Sequence, residues 1–236
     1  MKYIASVSFG KDNLAMLKII KDKQLPLDEI VFCDIKANKQ MSGLFPEQEQ
    51  FINKMIPIIE KYMKVPIKVI RSEITFEEQF YTKKGKRAKV PNSIYGFPMS
   101  ICAWCNDRLK MKPIDKYYKA QGEHIRYIGI AYDEPKRYAR LEENEIAPLF
   151  DNKITEEMAF NICEQLDWVS PIYDNFKRDG CWFCPKQSIK SLKKIYLKYP
   201  DLWKILRQWQ KDSPVPFKPN MTIFDLEKKF KEEQQT

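Results

Sequence analysis

Apolar positions along this chain recur with two periods, and their order sketches a fold. Tyr3 to Ser8 alternates β-branched and small residues, as a buried strand does. From Asp12 to Lys21 the apolar positions Leu14, Leu17 and Ile20, with Ala15 and Met16 beside them, recur at helical spacing. Between the two lies Ser8-Phe9-Gly10-Lys11-Asp12-Asn13, a sharp strand-to-helix turn. Glu29 to Asp34 reads as a second strand. A polar loop follows, then a helix from about Pro46 to Met63, and Val65 to Arg71 reads as a third strand. The order β-α-β-α-β predicts a parallel sheet with right-handed crossovers.

Beyond residue 71 the pattern thins. Lys83 to Lys89 is a basic run without an acid and reads as an exposed loop. The segment Cys102 to Tyr118 is helical in its second half, and Ile125 to Ile130 is a fourth strand. Thr155, followed by Glu156 and Glu157, opens a helix to about Leu166. Further helices are predicted from Ser188 to Lys198 and from Asp201 to Gln210. Thr222 caps a last helix to Phe230, with Asp225 as its capping-box partner. The fold class expected is α/β, a doubly wound, mostly parallel, Rossmann-like sheet with a helical C-terminal segment. The division expected is a nucleotide-binding domain over 1–150 and a helical segment over 151–236.

Composition narrows the classes. The 236 residues are 44% hydrophobic, enough for a sizeable core, and hold only 7 glycines, which argues against a disordered or fibrous chain. No apolar run approaches the roughly 18 residues that a membrane span needs. The opening residues lack the pattern of a signal peptide. A cytoplasmic protein with no membrane partner is expected, its six cysteines reduced or ligating a metal. The formal charge of +9 favours a polyanionic partner, a nucleotide or a nucleic acid.

The turn after the first strand carries the first candidate chemistry. The first N–H groups of a helix lack intrahelical partners and its dipole adds positive potential, so a strand-to-helix turn can hold an anion. Gly10 permits a tight backbone, Ser8 adds a hydroxyl and Lys11 a cation. The pattern is not a Walker loop, which needs G-x-x-x-x-G-K-[ST]. An ordinary strand-to-helix turn is the plain alternative.

Two Cys-x-x-Cys pairs carry the second: Cys102-Ala103-Trp104-Cys105 and Cys181-Trp182-Phe183-Cys184. Each puts two thiols about one turn apart, and together they make a tetrahedral sulfur set for zinc or an iron–sulfur cluster. A thioredoxin-like dithiol is an alternative for one pair. Trp104, Trp182 and Phe183 provide an apolar shell suited to a [4Fe-4S] cluster, with Zn²⁺ as the alternative.

These motifs resemble the PP-loop ATP pyrophosphatases, in their phosphoadenosine phosphosulfate (PAPS) reductase-like branch. Ser8 to Asn13 is similar to the S-G-G-x-D-S loop of that family, with Phe9 in place of the first glycine and Asn13 in place of the final hydroxyl residue. Phe32-Cys33-Asp34 and Phe45-Pro46-Glu47 resemble its second strand end and next helix start. Gly129-Ile130-Ala131-Tyr132-Asp133-Glu134-Pro135-Lys136-Arg137 resembles its later G-x-[RA]-x-[DE]-E-x-x-R segment. Cys102 to Ile114 and Gly180 to Pro185 resemble the cysteine segments of the sulfonucleotide reductases, where equivalent cysteines bind a [4Fe-4S] cluster.

The resemblance implies ATP and Mg²⁺, with Ser8, Phe9, Gly10, Lys11, Asp12, Asn13, Asp34, Gly129, Asp133 and Arg137 around the nucleotide. It implies Lys11, Asp12, Arg108 and Lys110 in catalysis, Arg140 sharing that work, and Cys102, Cys105, Cys181 and Cys184 on the metal. The first reading is an enzyme that adenylates a substrate for sulfur transfer to tRNA or DNA, with a sulfur-donor protein as partner; a homodimer is an assembly the resemblance admits. Because the reductases' tail cysteine has no counterpart after Cys184, a sulfonucleotide reductase borrowing a partner's thiol is the second. A catalytically silent nucleotide- or nucleic-acid-binding protein with structural zinc is the third. His124 reads as structural, Cys33 and Cys163 as small buried residues, and Trp203 and Trp209 as core.

Overall fold

The structure is a computed structural model that describes residues 1–99 and 103–235. In chain order the elements are β1 (Lys2–Val7), α1 (Lys11–Asp22), β2 (Glu29–Cys33), α2 (Pro46–Met63), β3 (Ile67–Ile70) and α3 (Phe76–Tyr81). Then come α4 (Trp104–Asn106), a π-helical turn (Asp107–Met111), α5 (Lys112–Lys119), β4 (His124–Ile128), α6 (Pro135–Tyr138) and β5 (Glu145–Ile146). The remainder is α7 (Pro148–Asp151), α8 (Glu156–Gln165), a 3-10 turn (Pro171–Asp174), α9 (Ile189–Lys198), α10 (Pro200–Asp212) and α11 (Ile223–Gln235). Among the described residues, no helix is long and apolar enough to cross a membrane.

Two compact units share these elements. The first holds residues 1–34, 46–71 and 113–179; the second holds 35–45, 72–112 and 180–236. Compactness therefore divides the chain along different lines from the 1–150 and 151–236 division expected from chain order, since each unit gathers three separate stretches.

The first unit is built on a five-stranded sheet of order β3-β2-β1-β4-β5, parallel throughout. Ile4 pairs with Glu29 on one side of β1 and with Arg126 on the other. The order reverses at β1, so right-handed crossovers place α1 and α2 on one face and α5 on the other. α5 lays Ile114 and Tyr118 on Ile4 of β1 and Val31 of β2. α1 buries Leu14, Ala15, Met16, Leu17, Ile19 and Ile20, and α8 packs against it. This is the doubly wound α/β class that the periodicity predicts.

The second unit has an aromatic core. Phe76 lies against Phe183 with centroids 4.1 Å apart and against Trp104 and Trp209 at 5.0 Å each. Trp182 stacks on Trp209 at 5.4 Å. Trp203 and Trp209 are buried, as their helical spacing predicts. α11 begins with the expected capping box: Asp225 N–H donates to Thr222 Oγ1 at 3.1 Å and Thr222 N–H to Asp225 Oδ2 at 2.8 Å.

Candidate functional site

The first unit places the Ser8–Asn13 loop at the point where the strand order reverses, beyond the carboxyl ends of β1 and β4. Open parallel sheets bind ligands in that crevice. Phe9 adopts φ +59°, a left-handed conformation costing a bulky L-residue roughly 1–2 kcal/mol. Its ring offsets this by burial, 1% exposed and edge-on to Phe32 at 5.1 Å. The resemblance puts a glycine at this position, and the backbone shows why: only glycine takes that φ without strain.

Asn13 closes the loop. Its Oδ1 accepts from the Ser8 N–H at 2.8 Å and from the Ser8 hydroxyl at 2.6 Å. Gly129, just past β4, lies flush on this residue; a Cβ there would come within 2.3 Å of Asn13 Nδ2 and 3.2 Å of its backbone. The amide that replaces the family's hydroxyl is thus committed to holding the bend.

The mouth of the loop already faces a carboxylate. Gly10 caps α1 without any side-chain cap. A Cβ on Gly10 would sit 2.8 Å from Asp179 Oδ2 and 3.3 Å from Tyr173 Oη. The Lys11 N–H donates to Tyr173 Oη at 3.1 Å. Ser8 Oγ stands 3.3 Å from Asp179 Oδ2, but its one proton serves the shorter Asn13 contact. The Asp179 carboxylate thus lies against Ser8 and the glycine at the start of α1. Neither Tyr173 nor Asp179 was legible as a site residue; the only local signal was the position of Asp179 directly before Gly180-Cys181.

Charges are paired around this loop. Lys11 Nζ lies 2.7 Å from Asp12 Oδ1 and 2.9 Å from Glu156 Oε2. Burial opposes the charge on Lys11, but hydrogen bonds and attraction to Asp12 and Glu156 outweigh it and hold its pKa above the ordinary lysine value. Burial raises the Asp12 carboxyl despite Lys11. Asp133 Oδ1 accepts from the Glu156 N–H at 3.0 Å, and Arg137 pairs with Glu134 at 2.6 Å. Asp34, at the end of β2, pairs with Arg71 at 2.8 Å. Beneath the loop, Cys163 is fully buried, its thiol donates to the Lys11 carbonyl at 3.2 Å, and burial, with the nearby Asp12 charge, pushes its pKa up to about 12. Cys33 is only partly buried, and His124 stacks on Tyr118 at 5.1 Å.

The second unit holds the cysteine pairs, with Cys102 outside the described residues. Burial, with the charge of the nearby Cys184, raises the Cys105 thiol to about 11. Cys184 N–H donates to the Cys181 carbonyl at 3.2 Å, closing a turn that brings that pair round. Segment 35–45 clamps it: Trp182 N–H donates to the Gly43 carbonyl at 3.1 Å and Trp182 Nε1 to the Ser42 carbonyl at 3.0 Å. A Cβ on Gly43 would strike the Ile35 carbonyl at 2.6 Å, so the clamp requires glycine. Among the described residues, no group of three or more His, Cys, Asp or Glu side chains assembles as metal ligands. The donor chemistry nonetheless suits a soft metal. The Cys105 thiol resists ionisation where it lies, and a thiolate-binding metal would relieve that. Arg108 and Lys110 also belong to this unit. Arg108 lies over the Tyr95 ring at 4.5 Å and donates to its hydroxyl at 2.9 Å.

A doubly wound parallel sheet with a strained loop at its reversal point and a cysteine-bearing companion unit defines an α/β protein of the nucleotide-binding architecture. The chain belongs to the phosphoadenosine phosphosulfate reductase domain family, which matches residues 2–187. It is 25% identical over 224 residues to an uncharacterised protein of Methanocaldococcus jannaschii, covering 87% of this chain and 42% of that one. It is 26% identical over 153 residues to an uncharacterised nin region protein of Escherichia phage lambda, covering 57% of this chain and 49% of that one. The chain thus spans less than half the length of these curated relatives. A solved structure of the U34-tRNA thiolase NcsA from Methanococcus maripaludis, with its [4Fe-4S] cluster, aligns over 100% of this chain and 72% of that one. The TM-score is 0.45 and the identity 15%, a likeness too slight to decide fold or chemistry.

Proposed function

We propose that this chain cleaves ATP between its α and β phosphates and transfers the adenylyl group to an oxygen of a nucleic-acid acceptor, preparing it for replacement by sulfur. The observation that supports this most is the Ser8–Asn13 loop: strained at Phe9, locked by Asn13 and Gly129, and presenting Gly10 and Ser8 to an anionic oxygen. In the reaction the acceptor oxygen attacks the α phosphorus, the bridging P–O bond to the β phosphate breaks, and pyrophosphate carries away that electron pair. A sulfur nucleophile then displaces AMP together with the acceptor oxygen.

The loop N–H groups and Lys11 would balance the phosphate charge. Lys11 already spans Asp12 and Glu156, so it is held in place before any phosphate arrives. Asp12 would hold Mg²⁺, which screens the phosphates when bound. Asp34 would stand on the adenosine side, and Gly129, Asp133 and Arg137 would wall the crevice. The family resemblance also gives Arg108 and Lys110 a part in catalysis. Cys102, Cys105, Cys181 and Cys184 would hold a [4Fe-4S] cluster or zinc, which when bound supplies either a cross-link within the fold or a site for the incoming sulfur.

Product analysis after incubation with ATP, Mg²⁺ and RNA or DNA tests the reading. AMP and pyrophosphate are expected, and their formation is lost in Lys11→Ala; ADP and phosphate would sink it. The family assignment also favours a second reading, a sulfonucleotide reductase with an external thiol. Sulfite released from adenosine phosphosulfates by the purified chain plus a dithiol would establish that instead. Nucleotide binding with neither product would leave a silent binding protein.

A further inference from the structure

The two units carry opposite formal charge. The sheet unit has 19 lysines and arginines against 22 aspartates and glutamates, a formal −3; the cysteine-bearing unit has 22 against 10, a formal +12. The whole positive excess of the chain therefore lies on one unit, and its densest part is a single hairpin.

That hairpin runs from Thr82 to Tyr95. Tyr95 N–H donates to the Thr82 carbonyl at 3.0 Å, Lys84 N–H to the Ser93 carbonyl at 2.8 Å and Asn92 N–H to the Lys84 carbonyl at 3.1 Å; Lys83 and Ile94 form an antiparallel bridge. Its root is fixed in the aromatic core. Gly96 N–H donates to the Phe80 carbonyl at 3.0 Å, Phe97 N–H to Ser213 Oγ at 3.2 Å, and Phe80 and Phe97 are buried edge to face. Lys83, Lys84, Lys86, Arg87 and Lys89 project from it, and no acid occurs between Glu78 and Asp107. Among the described residues none of these five forms an ion pair with an acid. At the root, Lys84 Nζ and the Arg108 guanidinium both lie over the Tyr95 ring, at 5.9 and 4.5 Å.

Five like charges on one hairpin repel each other, and no acid among the described residues pairs with them. An external chain of phosphates does. We propose that this hairpin is the nucleic-acid-binding arm of the protein, gripping the phosphate backbone. Five cations within the seven residues from Lys83 to Lys89 suit a polyphosphate chain, and a hairpin without an apolar stripe is poorly suited to entering a lipid surface. This deepens the reading above by naming the surface that would hold its acceptor.

The test is fluorescence anisotropy of labelled 20-nucleotide RNA and DNA of one sequence, with the intact chain, between 50 and 200 mM salt. The five-fold variant K83Q/K84Q/K86Q/R87Q/K89Q is expected to lose on the order of tenfold or more in affinity, and its log–log salt slope to fall by about 2 to 4, at ~0.7 per lost single-strand phosphate contact. A charge-matched variant of the sheet unit, K23Q/K54Q/K61Q/K68Q/K119Q, is expected to keep wild-type affinity, which separates a binding arm from net charge. Tighter binding of RNA than DNA names RNA as the partner; equal binding assigns the grip to the backbone alone. Unchanged affinity and slope in a hairpin variant with a wild-type melting curve overturns the proposal, as does binding of phosphatidylserine vesicles with none of either oligonucleotide. ATP turnover is measured separately, so a silent loop with an intact hairpin effect sinks the enzyme and leaves the arm.

Discussion

Two residues with no ionisable side chain, Asn13 and Gly129, hold the shape of the candidate anion site. Gly129→Ala would put a methyl group 2.3 Å from Asn13 Nδ2 and 3.2 Å from the Asn13 backbone, so the amide that ties down Ser8 must shift. Overpacking of this kind costs about 1–3 kcal/mol. A lower urea midpoint is expected, together with loss of ATP binding by calorimetry, because the shifted amide no longer ties down Ser8. Cys163 yields a pH prediction. Its thiol is raised from an ordinary 9.0 to about 12, so the folded chain keeps a proton that the unfolded chain releases. Its contribution is full below pH 9 and falls as pH rises towards 12. Comparing urea midpoints of wild type and Cys163→Ala from pH 7 to 10.5 should show the wild-type advantage shrinking above pH 9; a constant difference would refute it.

At the scale of elements, the 3-10 turn and its extension to Asp179 form a clasp over the start of α1. Asp179 brings a negative charge to the place proposed for phosphate. Asp179→Asn is expected to tighten ATP binding several-fold by removing that repulsion, read by calorimetry; weaker binding would make Asp179 a ligand of the metal–nucleotide instead. A second element, α3, depends on the residue that caps its start. Thr75 Oγ1 accepts from the Glu78 N–H and Glu78 returns the bond to the Thr75 N–H, a complete capping box on a six-residue helix. Thr75→Ala should lower stability by about 1 kcal/mol, seen as a fall in thermal midpoint, while Thr75→Ser should retain most of it. The T-x-x-E signature of this helix stood in the sequence. Six residues are too few to show a period, so the long helices were legible and this one was not.

For the whole molecule, each unit is sewn from three separate stretches of chain. Fragment 1–150 would lack α8, which packs on α1, and the clasp over the loop. It is expected to give no cooperative melt by circular dichroism, whereas the full chain does. A cooperative transition in the fragment would restore a boundary at residue 150. The same distribution explains why the charge asymmetry was hidden: along the chain, basic and acidic stretches interleave, and only the gathering of 35–45, 72–112 and 180–236 collects the excess.

Periodicity along the chain was enough to determine β1, α1, β2, α2, β3 and β4, and with them the parallel α/β class. Local motifs likewise marked the bend from Ser8 to Asn13 and the paired cysteines. Both are encoded by neighbours a few residues apart, which fix backbone conformation directly. Tertiary structure alone decided that Gly129 seats Asn13, that Asp179 faces Gly10, that Cys184 comes near Cys105, and that Arg108 joins the basic hairpin. Those contacts link positions from 13 to 169 residues apart in the chain, and only the strand order and crossover geometry determine which such positions meet.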